Sequence, residues 1–102
     1  MLEIKKKYLE MIDSGFNLIL EKLEPYSNNI IENEGSINLS ISKIGEYLFN
    51  RQPSSLQLWG SSPLTGPSRF RMEEKEWIHE KKNIPLKKYL ELEVSDICQK
   101  RN

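Results

Sequence analysis

A chain of 102 residues suits one compact domain and leaves no room for a second. Lys+Arg and Asp+Glu stand at 15 each, so net charge draws the chain neither to nucleic acid nor to an anionic membrane. A single cysteine, Cys98, excludes an intramolecular disulfide and agrees with a reducing compartment, and no apolar run approaches the ~20 residues of a bilayer span.

The opening Met1-Leu2-Glu3-Ile4-Lys5-Lys6-Lys7 has neither a signal-peptide apolar region nor an Arg/Ser-rich transit pattern, so residues 1–102 are expected to be one domain throughout. Residues 3–24 read as an amphipathic helix. Tyr8, Ile12, Phe16, Ile19 and Leu23 recur at intervals of three and four, with Glu10, Asp13, Ser14, Asn17, Glu21 and Glu24 on the other side. Pro25 then stops the helix, having no amide proton to donate.

The period changes after that proline, and all the strands are expected within 29–79. Ile37, Leu39 and Ile41 alternate with polar residues, as in a strand with one buried face, and Glu34-Gly35-Ser36 turns into it from a partner at Ile30-Ile31. Lys43-Ile44-Gly45 is a second turn, before the β-formers Tyr47-Leu48-Phe49. Further strands are expected at 56–59, 69–72 and 76–79. Their connections are Pro53-Ser54-Ser55 and the Pro/Gly-rich 61–67. A closing helix is expected over 84–97, with Pro85 in its first turn and Leu86, Tyr89, Leu90, Val94 and Ile97 as its apolar stripe; residues 99–102 are expected to fray. The resulting class is α+β: a two-layer sandwich with the N- and C-terminal helices on one face of a five- to six-stranded antiparallel sheet.

Alternation has a consequence for the other face. If Leu56, Leu58, Phe70 and Met72 point at the helices, then Gln57, Trp59, Arg69 and Arg71 point away from them. Trp beside Arg is a usual hot-spot composition for binding another protein. From Tyr47 to Met72 there is no acidic residue, while Arg51, Arg69 and Arg71 lie within that stretch. A neutral chain is thus divided into an acidic edge and a basic, aromatic sheet face. Periodicity alone leaves open whether Trp59 is offered to a partner or packs under the proline loop. Stacking on single-stranded nucleic acid would need a wider basic surface than three arginines provide.

The residues also resemble a family. The run Gly45-Glu46-Tyr47-Leu48-Phe49-Asn50-Arg51-Gln52, then Gln57-Leu58-Trp59, the loop Ser61-Ser62-Pro63-Leu64-Thr65-Gly66-Pro67, Arg69-Phe70, Trp77 and Pro85-Leu86 with Tyr89-Leu90 are similar, in order and spacing, to the frataxin pattern. The loop is similar to those of eukaryotic and rickettsia-like frataxins. The resemblance implies a frataxin-like fold, weak binding of iron (Fe2+/Fe3+) and assistance to iron–sulfur cluster assembly by docking on a cysteine desulfurase–scaffold protein complex.

Carried over by position, the resemblance makes Glu10, Asp13, Glu21, Glu24, Glu32 and Glu34 the metal carboxylates, and Asn50, Gln52, Gln57, Trp59 and Arg69 the partner-binding residues. Ser14 and Asn17 stand where the family often has carboxylates, and Lys5, Lys6, Lys7 and Lys22 dilute the acidic field, so weaker or fewer iron sites are expected. Ferroxidase activity, credited to some frataxins, is implied only through the family. A non-metal protein-interaction module of the same fold is the alternative. The resemblance also implies a monomer in a mitosome-like mitochondrion-related organelle, with a bacterial cytoplasm as the alternative.

No other chemistry competes. His79 and Cys98 are too isolated for a zinc or tight iron site, and Cys98 has no visible base and is expected to pack within its helix. His79 is expected to be structural or exposed. No phosphate-binding glycine loop and no hydrolytic triad occurs.

Overall fold

The computed structural model describes residues 2–101. Helix α1 spans Leu2–Leu23, and a 3-10 turn at Glu24–Tyr26 carries Pro25 and leads into the sheet. The strands are β1 (Asn29–Asn33), β2 (Ser36–Ile41), β3 (Gly45–Gln52), β4 (Gln57–Ser62), β5 (Gly66–Glu73) and β6 (Glu76–His79), and helix α2 spans Leu86–Arg101. The six strands form one antiparallel sheet in sequence order, a meander whose every connection is local.

One face of the sheet meets both helices. Ile37, Leu39 and Ile41 of β2, Tyr47 and Phe49 of β3, Leu58 of β4, Phe70 of β5 and Trp77 of β6 are buried with Tyr8, Met11, Ile12, Ile19 and Leu23 of α1 and Leu86, Tyr89, Leu90 and Ile97 of α2. Each large apolar side chain so covered contributes about 1.5–3 kcal/mol of transfer free energy. Two buried donors tie α1 to the sheet: Tyr8 Oη donates to the Gln57 carbonyl at 2.7 Å, and Trp77 Nε1 donates to the Met11 carbonyl at 2.7 Å. The rings of Tyr8 and Trp77 meet edge to face at 5.9 Å between centroids.

Gly15 explains how closely α1 seats on the sheet, since a Cβ there would stand 2.9 Å from Trp77 Nε1 and 3.0 Å from Leu58 Cδ1. The buried stripe of α1 therefore includes Met11 and Gly15, while Phe16 is only half-buried.

Five sequence expectations are corrected. Leu56 precedes β4 and is not part of it, holding a left-handed conformation (φ 54°) after the 3-10 turn Pro53–Ser55. Pro85 lies one residue before α2 and bridges to Ile78, so the helix starts at Leu86, and regular helix continues to Arg101 where fraying was expected. Cys98 is exposed. Arg51 does not join the basic sheet face: it pairs in register with Leu58 and shares the parity of Tyr47 and Phe49, on the helix side.

Candidate partner-docking face and carboxylate ridge

Register brings the expected partner-binding residues into two adjoining rows across β3, β4 and β5. Asn50 pairs with Trp59 and Trp59 with Arg69, forming one row. Gln52 pairs with Gln57 and Gln57 with Arg71, forming the next. All six lie opposite in parity to the buried Phe49, Leu58 and Phe70, on the face away from both helices. Trp59 is half-buried by its own neighbours; the helices do not cover it.

Those neighbours hold the indole in one orientation. The Arg69 guanidinium stacks over the ring with Cζ 4.6 Å from its centroid, a cation–π contact. The indole Nε1 donates to Gln57 Oε1 at 2.7 Å, and Ser55 Oγ donates to the same oxygen at 2.9 Å. Gln57 Nε2 in turn donates to Glu80, from the segment after β6. Arg71 is held by Glu73 and by Asn83 Oδ1 (3.1 Å), and Gln52 Nε2 donates to Ser54 Oγ at 3.3 Å. Sequence reasoning missed Ser55, Glu80 and Asn83, because they reach this face from turns whose course periodicity does not describe.

The candidate metal carboxylates are distributed differently. Glu10, Asp13, Glu21 and Glu24 are exposed, as are Glu32 and Glu34. Along α1 and the 3-10 turn that follows it they fall into two pairs three residues apart, 10/13 and 21/24, with about 12 Å of helix between the pairs. Glu32 pairs in register with the buried Ile37 and so has helix-side parity on the edge strand β1. Glu34, in the β1–β2 turn, takes the Arg51 guanidinium at 3.3 Å. Gly35 makes room for that crossing, since a Cβ there would stand 2.6 Å from Arg51 Nε. Among the described residues no three His, Cys, Asp or Glu side chains converge as a metal cage. Paired surface carboxylates suit hard, partly hydrated cations carried as cargo.

A buried polar cluster lies on the other side of the sheet. Glu93 of α2 is 2% exposed and accepts hydrogen bonds from Tyr47 Oη (2.6 Å), Ser62 Oγ (2.6 Å) and Thr65 Oγ1 (2.7 Å). Ser62 Oγ also accepts the backbone N–H groups of Leu64 and Thr65, so the carboxylate anchors the 62–65 turn to α2. Burial, and then the Glu93 carboxylate, pushes the Tyr47 hydroxyl far up from its ordinary value. His79 is buried, and its Nδ1 accepts the backbone N–H groups of Lys81 (3.2 Å) and Lys82 (3.1 Å). Burial, followed by the charges of Lys82 and Lys81, lowers its pKa below 6.5.

The comparisons with known proteins agree with this architecture. A family model described as a frataxin-like domain matches residues 2–100. The frataxin of Trachipleistophora hominis is 34% identical over 93 residues, covering 91% of this chain and 87% of that protein. The mitochondrial frataxin of Dictyostelium discoideum is 32% identical over 99 residues, covering 88% of this chain and 51% of its own length. The chain therefore spans nearly all of the first relative and about half of the second.

Among solved structures, a yeast frataxin superposes with a TM-score of 0.74 at 32% identity, covering 95% of this chain and 85% of the yeast chain. A trimeric frataxin from Saccharomyces cerevisiae, complexed with ferrous iron, matches with a TM-score of 0.64 at 28% identity over 90% of this chain and 82% of that one. With the helix–meander–helix order and the family's Gln57-Leu58-Trp59 and Ser61–Pro67 segments in place, the chain belongs to the frataxin family.

Proposed function

We propose that this chain is an iron-handling accessory of iron–sulfur cluster assembly that docks on a cysteine desulfurase–scaffold complex through the outer face of β3–β5. The observation that carries the reading is Trp59, stacked by Arg69 and bonded to Gln57 on a face that neither helix covers. A preoriented aromatic anchor with a guanidinium beside it is what a protein-binding hot spot requires. Asn50 and Gln52 supply amide donors and acceptors around that anchor.

Iron, as cargo, is assigned to Glu10, Asp13, Glu21, Glu24 and Glu32, with Glu34 a lesser contributor because Arg51 competes for its carboxylate. The ferrous complex of the yeast relative supports iron as the metal. Exposed pairs without a cage make the binding weak. The mitochondrial names of the relatives support a mitochondrion-related organelle as the site of action. We assign the chain a monomeric working state, although the yeast relative is trimeric.

Two measurements test the parts separately. Anaerobic titration with ferrous iron should broaden NMR signals at the α1 carboxylates first; uniform broadening over the whole chain would remove the ridge from the mechanism. In reconstituted cluster synthesis, Trp59→Ala should weaken docking on the order of 30-fold, the effect of a hot-spot tryptophan. Unchanged stimulation by that variant would remove the outer face.

A further inference from the structure

The indole N–H of Trp59 is a donor only, so the Gln57 atom facing it must be the amide oxygen. That choice points the Gln57 NH2 group the other way, where it needs an acceptor. Glu80 supplies one: its carboxylate accepts from Gln57 Nε2. Its backbone is fixed as well, since the Glu80 N–H donates to the Arg69 carbonyl at 2.9 Å, directly beside the strand that carries the stacking guanidinium. A chain of contacts thus runs Glu80–Gln57–Trp59–Arg69, with Ser55 adding a second donor to the Gln57 oxygen.

We infer that Glu80 is a positioning residue of the outer face: by taking the Gln57 amide protons it holds the amide oxygen on the Trp59 indole N–H and fixes the ring under Arg69 before a partner arrives. The inference rests on the reading of this face as the docking surface. It also deepens that reading. Because the indole donor is already used within the chain, the face offers the flat apolar ring and the guanidinium edge. The partner that fits has an apolar slot for the ring and carboxylate or carbonyl acceptors for Arg69 at its rim, with no acceptor needed for the indole. An anchor held in advance loses less freedom on association.

The two tryptophans give an internal control, since the Trp77 indole N–H is buried on the Met11 carbonyl, on the helix-covered face of the sheet, and takes no part in the Glu80–Gln57 contact. The solvent-exchange rates of both indole protons are measured by NMR in the intact chain and in Glu80→Ala. Exchange at Trp59 should rise about fivefold to tenfold, the worth of a hydrogen bond to a charged group passed through Gln57, with Trp77 unchanged. Glu80→Gln keeps an acceptor oxygen and should restore exchange close to that of the parent chain. An unchanged Trp59 indole in Glu80→Ala overturns the inference, and so does an equal rise at both indoles, which would mark a general loosening.

Docking on the desulfurase–scaffold complex is then measured with the same variants. A few-fold loss in Glu80→Ala, recovered in Glu80→Gln, supports the inference. So does nearly full docking by Trp59→Phe, which keeps a flat ring and lacks the N–H. A Trp59 indole released in Glu80→Ala with docking unaltered would leave the hold of Glu80 on the ring standing and count against the docking reading.

Discussion

At the scale of single residues, buried polar groups set the stability of this chain more sharply than its surface charges do. Glu93 accepts three side-chain hydroxyl bonds from a site 2% exposed, so its removal leaves the buried Tyr47 and Ser62 hydroxyls without their acceptor. Glu93→Ala is expected to lower unfolding free energy by about 3–5 kcal/mol in urea denaturation, whereas Glu93→Gln keeps one acceptor oxygen and should lower it by about 1–2 kcal/mol. Equal losses from both would mean that volume matters and the hydrogen bonds do not.

Protonation has a predictable sign at the same scale. The folded state holds the His79 pKa below its unfolded value of 6.5, so the unfolded chain binds the proton first. The stability this histidine contributes is complete above pH 6.5 and falls as pH drops through that value towards the folded pKa, because a proton on Nδ1 displaces two backbone donors. Tyr8, Tyr47 and Tyr89 have the opposite limb: burial raises each above 10.0, so the unfolded chain loses its protons first and stability falls above that pH. Stability should therefore be flat between about pH 6.5 and 10 as far as these groups decide it, and His79→Gln should shallow the acid limb in denaturation curves.

At the scale of elements, the α1–sheet seam is decided by an absent side chain. Alanine favours a helix over glycine by about 1 kcal/mol, so propensity alone makes Gly15→Ala stabilising. A Cβ at 2.9 Å from Trp77 Nε1 reverses the sign, because the indole cannot retreat without leaving the Met11 carbonyl. Gly15→Ala is expected to destabilise by about 1–3 kcal/mol and to shift the Trp77 indole resonance; a gain in melting temperature would contradict the close-seated helix.

This seam also shows what a sequence can and cannot disclose. Two-residue periodicity placed Gln57, Trp59, Arg69 and Arg71 away from the helices, and the register agrees, because one buried face fixes every other side chain of a strand. Glu93 was legible too: it lies four residues after Tyr89 and four before Ile97, on the apolar stripe itself beside the half-buried Val94, yet a stripe read from apolar residues alone passes over it. Gly15 and Glu80 were not legible. Each depends on a contact between elements distant in sequence, and neither periodicity nor turn chemistry carries that information. Arg51 shows the cost of reading charge by stretch, since parity alone sends it to the helix side and to Glu34.

At the scale of the whole molecule, a neutral chain keeps its two candidate activities on separate surfaces, and the ridge itself is uneven. Lys6 and Lys7 stand four and three residues before Glu10, on the same helix flank, and weaken the field of the 10/13 pair. The 21/24 pair is less diluted, because Lys22 turns to Glu91 on α2 at 4.0 Å. That pair also lies at the C-terminal end of α1, where the helix dipole presents partial negative charge and favours a cation. Ferrous iron is therefore expected to prefer Glu21 and Glu24. Glu21→Gln/Glu24→Gln should weaken binding by several-fold in anaerobic titration, and Glu10→Gln/Asp13→Asn by less, on the order of twofold, matching the small worth of exposed charges. Neither double variant alters the Trp59 face, so docking on the desulfurase–scaffold complex should stay within about twofold of the parent chain for both. The reverse ranking of the two pairs would place the cation nearer the N-terminal half of α1, and a joint loss of iron binding and docking would mean that the two surfaces act as one.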